Sequence, residues 1–288
     1  MDYELMMNGN VKIGQVAPDF NAVTTMGNIK LDDYKGKWVV LFSHPGDFTP
    51  VCTTEIIAFS KMHQNFEKMN TCLIGLSIDS NPSHLAWLYD IYCKTGIVVP
   101  FPIIADRSGE IARRYGMISS NISNTETARN VYIIDDKKII RAILVYPMNI
   151  GRNIPEILRI VKALQTADEN KKMTPANWMP CEPMLVPIPQ TFCALQERLT
   201  EIDKQRNGLS WYLSLKTPEN CNTDWICKNT KDSFREVPQN IEISQNQENI
   251  IEKNNKIENR EEKTIEKVQE NKSQNQKRSG SIQWKNFR

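Results

Sequence analysis

The stretch Leu41-Phe42-Ser43-His44-Pro45-Gly46-Asp47-Phe48-Thr49-Pro50-Val51-Cys52-Thr53-Thr54-Glu55 decides how the chain is read. An apolar run of strand character, Trp38 to Phe42, enters a Pro/Gly turn, and a helix-compatible segment from Thr53 to Met69 leaves it. Cys52 therefore lies about where that helix begins. A thiol placed there is acidified. The unsatisfied N–H groups and positive dipole end of a helix favour the thiolate, and such cysteines can fall well below the free value of about 8.5. The stretch predicts a sulfur nucleophile held at a strand-to-helix turn.

Outward from that turn, candidate strands lie at Trp38 to Phe42, Cys72 to Ile78, Pro102 to Ala105, Val131 to Ile134 and Ile139 to Val145. Candidate helices lie at Thr53 to Met69, Ser83 to Cys93, Ser108 to Tyr115 and Ile154 to Gln165. Strands alternating with helices imply an α/β sheet, and the strands flanking Asp135-Asp136-Lys137-Lys138 imply an antiparallel hairpin, so the sheet is mixed. A further hairpin is expected around Met26-Gly27-Asn28. Ser80-Asn81-Pro82 places capping residues ahead of a helix. Cys72, in an apolar strand, and Cys93, at the end of a helix, are expected to be small buried or half-buried thiols.

After Gln165 the character changes. Residues 168–190 are loop-rich, with five prolines, and Phe192 to Gln205 returns to a helical pattern. Trp178, Trp211 and Trp225 supply apolar anchors for this arm. From about Pro238 the chain is Asn, Gln, Glu and Lys with isolated Ile and Val, a composition that does not build a packed core. Three regions follow: a catalytic domain over 1–167, an arm over 168–230, and a low-complexity tail over 231–288, expected to be disordered.

The formal net charge of +2 proposes neither nucleic acid nor an anionic membrane as partner. No apolar run approaches the roughly 18 residues that a membrane span needs. The acidic N-terminus, Met1-Asp2-Tyr3-Glu4-Leu5, reads as no secretion signal, so a cytoplasmic location is expected. The seven cysteines are odd in number and scattered, unlike a secreted disulfide framework. In a reducing compartment, any disulfide here is expected to be catalytic rather than structural. No His/Cys cluster has zinc spacing, and no cofactor is expected.

Pro45-x-x-x-Thr49-x-x-Cys52, with Ser43-His44 before it and Thr53-Thr54-Glu55 after it, resembles the peroxidatic loop of the peroxiredoxins, in the branch similar to the one-cysteine type. The resemblance implies a thioredoxin-like fold with a mixed central sheet and extra N-terminal strands. It implies that the arm packs across a dimer partner, and that dimers assemble into a ring of five. The chemistry implied is attack of a thiolate on a hydroperoxide, leaving sulfenic acid on sulfur. By position, Arg129 matches the family's catalytic arginine, whose charge favours both the Cys52 thiolate and the developing negative charge on oxygen. Thr49 would offer its hydroxyl to the peroxide or the thiolate, and Pro45 would shield the sulfur. Arg152 matches a second arginine, held by Glu55, which is one turn into the helix from Cys52. His44 is a supporting candidate, between scaffold and site; His63 and His84 are read as structural.

Asn220-Cys221-Asn222-Thr223-Asp224-Trp225-Ile226-Cys227-Lys228 resembles the C-terminal pair of archaeal and bacterial members of this branch. The resemblance implies that Cys221 of the neighbouring subunit resolves the Cys52 sulfenic acid as an interchain disulfide, with Cys227 able to exchange onto Cys221 afterwards. A static Cys221–Cys227 pair and two idle thiols remain open alternatives, and Cys181 and Cys193 are read as bystanders. Thioredoxin or a similar dithiol would reduce the disulfide. A one-cysteine enzyme served by another small thiol, and a peroxide-sensing or chaperone-like redox oligomer, are the competing readings. The stretch Tyr34-Lys35-Gly36-Lys37-Trp38-Val39 carries no serine where relatives have a lipase-type motif, so phospholipase activity is not expected.

Overall fold

A computed structural model describes residues 11–119, 121–205 and 208–217. Cys221, Cys227, Trp225 and the tail over 231–288 lie outside the described residues. Among the described residues, no helix is long and apolar enough to cross a membrane.

The chain opens with a hairpin, β1 (Asn21–Thr24) and β2 (Gly27–Lys30), paired antiparallel as the Met26-Gly27 turn foretold. There follow β3 (Trp38–Ser43), α1 (Pro50–Glu67), β4 (Thr71–Ser77), α2 (Asn81–Thr95), β5 (Ile103–Ala105), α3 (Glu110–Arg114), β6 (Arg129–Ile134), β7 (Ile140–Tyr146) and α4 (Ile154–Asn170). Seven strands form one sheet in the order β2-β1-β5-β4-β3-β6-β7. The β3, β4 and β5 strands run parallel, whereas β6 and β7 are antiparallel additions on one side and β1 on the other. This is the mixed, thioredoxin-like sheet expected.

The central strand β3 is buried on both faces, which is why Trp38-Val39-Val40-Leu41-Phe42 reads as a continuous apolar run rather than an alternating one. Val40 and Phe42 join Ile56, Phe59, Trp87, Ile157 and Val161 from α1, α2 and α4 in one cluster. Val39 and Leu41 point the other way, onto Phe20, Leu31, Ala112 and Tyr115. With both faces covered, the end of β3 is fixed in place, and the turn that follows it inherits that rigidity.

Helix boundaries follow their caps. Ser80 accepts the Ser83 N–H at 3.3 Å to start α2, Pro82 sits in its first turn, and Gly96 ends it at φ 71°. Asn153 accepts the Glu156 N–H at 3.3 Å to start α4. The third helix is shorter than the expected Ser108 to Tyr115, because Gly109 (φ 65°) turns the chain and Asp106 Oδ2 takes the Ala112 N–H at 2.7 Å.

Beyond α4 lie β8 (Met184–Leu185), α5 (Phe192–Gln205), β9 (Gly208–Ser210) and β10 (Leu213–Lys216). A three-stranded sheet, β8-β10-β9, was not expected from sequence, since strands this short carry too little periodicity to read. Trp178 is buried, donates through Nε1 to Glu182 O at 3.0 Å, and its own carbonyl accepts from Arg159 of α4 at 2.9 Å. Trp211, expected to be an anchor, is 40% exposed.

Two cysteine expectations need correcting. Cys93 is exposed rather than buried or half-buried, because it falls on the solvent face of α2. Cys181 is no bystander thiol: it is disulfide-bonded, whereas Cys52, Cys72, Cys93 and Cys193 are free.

Candidate active site

Cys52 is the third residue of α1, behind Thr49 at the N-cap and Pro50 at the first helical position, where a missing N–H costs nothing. The first helical hydrogen bond runs from Thr53 N to Thr49 O at 3.0 Å, so the Val51 and Cys52 N–H groups lie ahead of the ladder. Those groups, with the helix dipole, suit an anion or a polarised oxygen. The sulfur itself is fully buried at 0% exposure. The thiolate, the reactive form of cysteine, here has a cation within reach.

That cation is Arg129, the first residue of β6. Its Nη1 donates to Cys52 Sγ at 3.3 Å and to Glu55 Oε2 at 2.8 Å. Its Nε and Nη2 both donate to Met148 O, at 3.0 and 2.6 Å. Glu55 binds a second arginine as well: Arg152 donates Nε to Oε1 at 2.9 Å, Nη2 to Oε2 at 2.6 Å, and its backbone N to Oε1 at 2.9 Å. Arg152 Nη1 is spent on Ser43 O at 2.8 Å and Asn130 O at 3.1 Å, and its guanidinium lies over the Phe42 and Phe59 rings at 5.2 and 5.7 Å. Burial pushes the Arg152 guanidinium down from its ordinary value while Glu55 pulls it back, and arginine stays charged at any working pH. The two guanidiniums thus form a rigid frame with one carboxylate between them, and a charge-assisted hydrogen bond is aimed at the sulfur.

Thr49 spends its hydroxyl hydrogen on Gly46 O at 2.9 Å, so its lone pairs rather than its proton face outward. Pro45 follows the buried end of β3, and Phe48 adopts φ 54°, a left-handed conformation uncommon for a bulky residue, within the same loop. His44 is fully buried; its Nε2 lies 3.2 Å from Asp47 Oδ1, its backbone carbonyl accepts from Thr127 Oγ1 at 2.7 Å, and its Nδ1 has no hydrogen-bond partner. Burial pushes the His44 imidazole down, more than Asp47 raises it.

Asp47 and His84 were not singled out as site residues by the sequence reading, yet the structure joins them to His44. His84 Nδ1 is 2.9 Å from Asp47 Oδ2, across 37 residues. No spacing rule finds such a pair; only the packing of α2 against the turn after β3 brings it together. His63 lies outside this cluster, 3.4 Å from Glu67 on the surface of α1.

Residues 13–143 match the AhpC/TSA family, and residues 163–201 match the C-terminal domain of 1-Cys peroxiredoxin. Peroxiredoxin 2 of Caldanaerobacter subterraneus subsp. tengcongensis is 57% identical over 205 residues, which are 71% of this chain and 92% of that protein. The chain belongs to the peroxiredoxin family. Solved structures agree. A yeast mitochondrial 1-Cys peroxiredoxin, described for thiol resolution through the glutathione/thioredoxin systems, is 38% identical at a TM-score of 0.63, covering 72% of this chain and 100% of its own. A cysteine-to-serine mutant of peroxiredoxin 6 of Arenicola marina is 34% identical at a TM-score of 0.65, covering 73% of this peroxiredoxin and 100% of its own chain. Peroxiredoxins are thiol peroxidases, and the frame around Cys52 is what such chemistry needs.

Proposed function

We propose that this peroxiredoxin reduces hydrogen peroxide and organic hydroperoxides with Cys52 as the attacking sulfur, and that Cys221 of a partner subunit resolves the product. The observation that carries the reading is the 3.3 Å hydrogen bond from Arg129 Nη1 to Cys52 Sγ at the start of α1. The Cys52 thiolate attacks the terminal peroxide oxygen; the S–O bond forms as the O–O bond breaks, and the departing alkoxide takes a proton from solvent. Arg129 and the Val51 and Cys52 N–H groups lie where charge develops on the two oxygens, and Thr49 accepts the peroxide O–H. Glu55 and Arg152 hold Arg129 in register.

Sulfenic acid at Cys52 is then attacked by the Cys221 thiol, forming a disulfide and releasing water. Thioredoxin or a similar dithiol reduces that disulfide to two thiols, and Cys227 is placed in sequence to exchange onto Cys221. Since Cys52 is fully buried, resolution by a protein thiol requires the start of α1 to open. The enzyme works in a reducing, cytoplasmic setting as a homodimer, with five dimers to a ring. The region over 1–167 carries peroxidation and the arm over 168–230 carries resolution.

Peroxide consumption with excess thioredoxin, thioredoxin reductase and NADPH tests the reading. Cys52→Ser abolishes turnover. Cys221→Ser permits one stoichiometric oxidation and then stalls, and the interchain dimer band on a non-reducing gel disappears. Sustained turnover by the Cys221 variant would reject its resolving role.

A further inference from the structure

Along β3 the side chains are apolar until its last residue, Ser43, which is fully buried. The ladder between β3 and β6 stops one residue earlier, at Phe42 opposite Val131, and the Ser43 hydroxyl continues the connection. It donates to Ala128 O at 2.6 Å and accepts the Asn130 N–H at 3.1 Å. Those two groups belong to the peptide units on either side of Arg129, so a single oxygen grips both. Burying a hydroxyl is unfavourable unless its hydrogen-bonding capacity is used, and here it serves as donor and acceptor at once. Thr127 Oγ1 donates to His44 O at 2.7 Å, a second stitch between the same two segments.

Arg129 needs such a grip. Its strand pairs on the other side with β7, where Arg129 stands opposite Tyr146 and Asn130 opposite Val145. Since β7 is the last strand of the sheet, Ser43 supplies the tie to the central strand that the ladder leaves out. The guanidinium is far from its own backbone: a tilt of about 10° at a Cα swings a group about 6 Å away by about 1 Å. A displacement of that size at a reacting centre costs on the order of a hundredfold in rate. The Ser43 carbonyl acts on the same frame from its other end, accepting Arg152 Nη1 at 2.8 Å, a donor that Asn130 O shares at 3.1 Å. Arg152 in turn holds Glu55, and Glu55 holds Arg129 Nη1. Ser43 thus reaches Arg129 twice, through its hydroxyl to the backbone and through its carbonyl to the frame around the guanidinium.

We propose that Ser43 is a positioning residue for peroxide reduction: its hydroxyl fixes the two peptide units of Arg129 and so aims the guanidinium at Cys52. The inference rests on the proposed reading that Cys52 is the attacking sulfur and Arg129 its cation. Without the hydroxyl, the Ala128 carbonyl and the Asn130 N–H lose their bonds to β3 inside a buried segment, Ala128 and Asn130 being 4% and 3% exposed. Buried polar groups left unpaired are costly, so the segment shifts to pair them elsewhere and carries Arg129 with it.

The test is stopped-flow oxidation of Cys52 by hydrogen peroxide in the full chain, with Cys221→Ser present throughout so that resolution does not enter. Ser43→Ala is expected to slow oxidation about tenfold, the effect of losing one or two buried hydrogen bonds, while Ser43→Thr, which keeps the hydroxyl, stays within about threefold of the parent. A residue that merely supports the fold slows oxidation whatever stands at position 129, whereas one that acts through Arg129 does not. In an Arg129→Gln background, Ser43→Ala is therefore expected to change the rate by less than about twofold. A Ser43→Ala protein that oxidises at the parent rate, or a loss of about tenfold that persists in the Arg129→Gln background, would overturn the proposal. Hydrogen exchange in the parent does not depend on any variant folding: a protected Asn130 amide supports the proposal, and one that exchanges as fast as an exposed amide overturns it. A parent whose Cys52 ignores peroxide would remove the peroxidase reading and this inference together; a reactive parent with an indifferent Ser43→Ala removes this inference alone.

Discussion

Replacing Glu55 by glutamine probes the frame that aims Arg129 at the sulfur. The carboxylate accepts four hydrogen bonds, from Arg129 Nη1, Arg152 Nε, Arg152 Nη2 and the Arg152 backbone N, at 2.6 to 2.9 Å. An amide of the same shape offers one acceptor oxygen and turns its NH2 toward guanidinium donors, so about half of those bonds have no acceptor. The charge also disappears between two guanidiniums whose side chains are 3% and 0% exposed. Breaking a buried ion pair by removing one partner costs about 3–5 kcal/mol, because the remaining charge is left uncompensated. For a chain of this size that lowers the unfolding midpoint by on the order of 10 °C. The guanidinium of Arg129 would keep its two bonds to Met148 O but lose the carboxylate that fixes Nη1, and a misplacement of about 1 Å at a reacting centre costs on the order of a hundredfold in rate. Differential scanning calorimetry and stopped-flow oxidation of Cys52 read the two effects separately. A Glu55→Gln protein that melts within about 2 °C of the parent and oxidises at more than half its rate would refute the frame argument.

Three further outcomes are expected. Arg129→Lys keeps the charge but not the fork that reaches Met148 O and Sγ at once, so Cys52 oxidation slows by about 10²- to 10³-fold, measured by stopped flow, and near-parental rates would refute the geometry. Peptide mapping without reductant should recover Cys181 in a disulfide-linked peptide; full alkylation of Cys181 in unreduced protein would contradict this. The Tyr132 phenol is pushed up to about 12 by burial, above its ordinary value near 10, so the stability it contributes is complete below pH 10 and lost as the pH rises toward 12. Tyr132→Phe should therefore flatten the fall in urea-unfolding stability across that window, and an unchanged slope would show that other groups govern it.

Local readings transferred well from sequence to structure. The strand Trp38–Ser43, the cap at Ser80 and the helix Phe192–Gln205 each carry their signal within a few residues, as apolar runs, capping side chains or helical period. The start of α1 is earlier than the expected Thr53, because Pro50 at its first position reads in sequence as a turn residue and in structure as a helix start. Arg129, Glu55 and Arg152 were legible through the resemblance, and the structure brings all three together with Cys52. What stayed hidden depends on contacts between distant segments. His84 sits among the apolar residues of α2 with nothing local to mark it, and Asp47 reads as a turn former. Their pairing exists only once the sheet has set α2 beside the end of β3. The disulfide at Cys181 was hidden for the same reason, since no spacing announced it.

The burial of Cys52 ties these observations into one constraint. A dry site strengthens the hydrogen bond from Arg129 by excluding competing water, and every reactant meets the sulfur only as that closure gives way. A protein thiol needs a wider opening than a peroxide does, so a tighter site resolves more slowly, and its sulfenic acid stays longer in reach of a second peroxide. The stability of the Pro45–Thr49 loop is therefore a quantity with an optimum rather than a maximum.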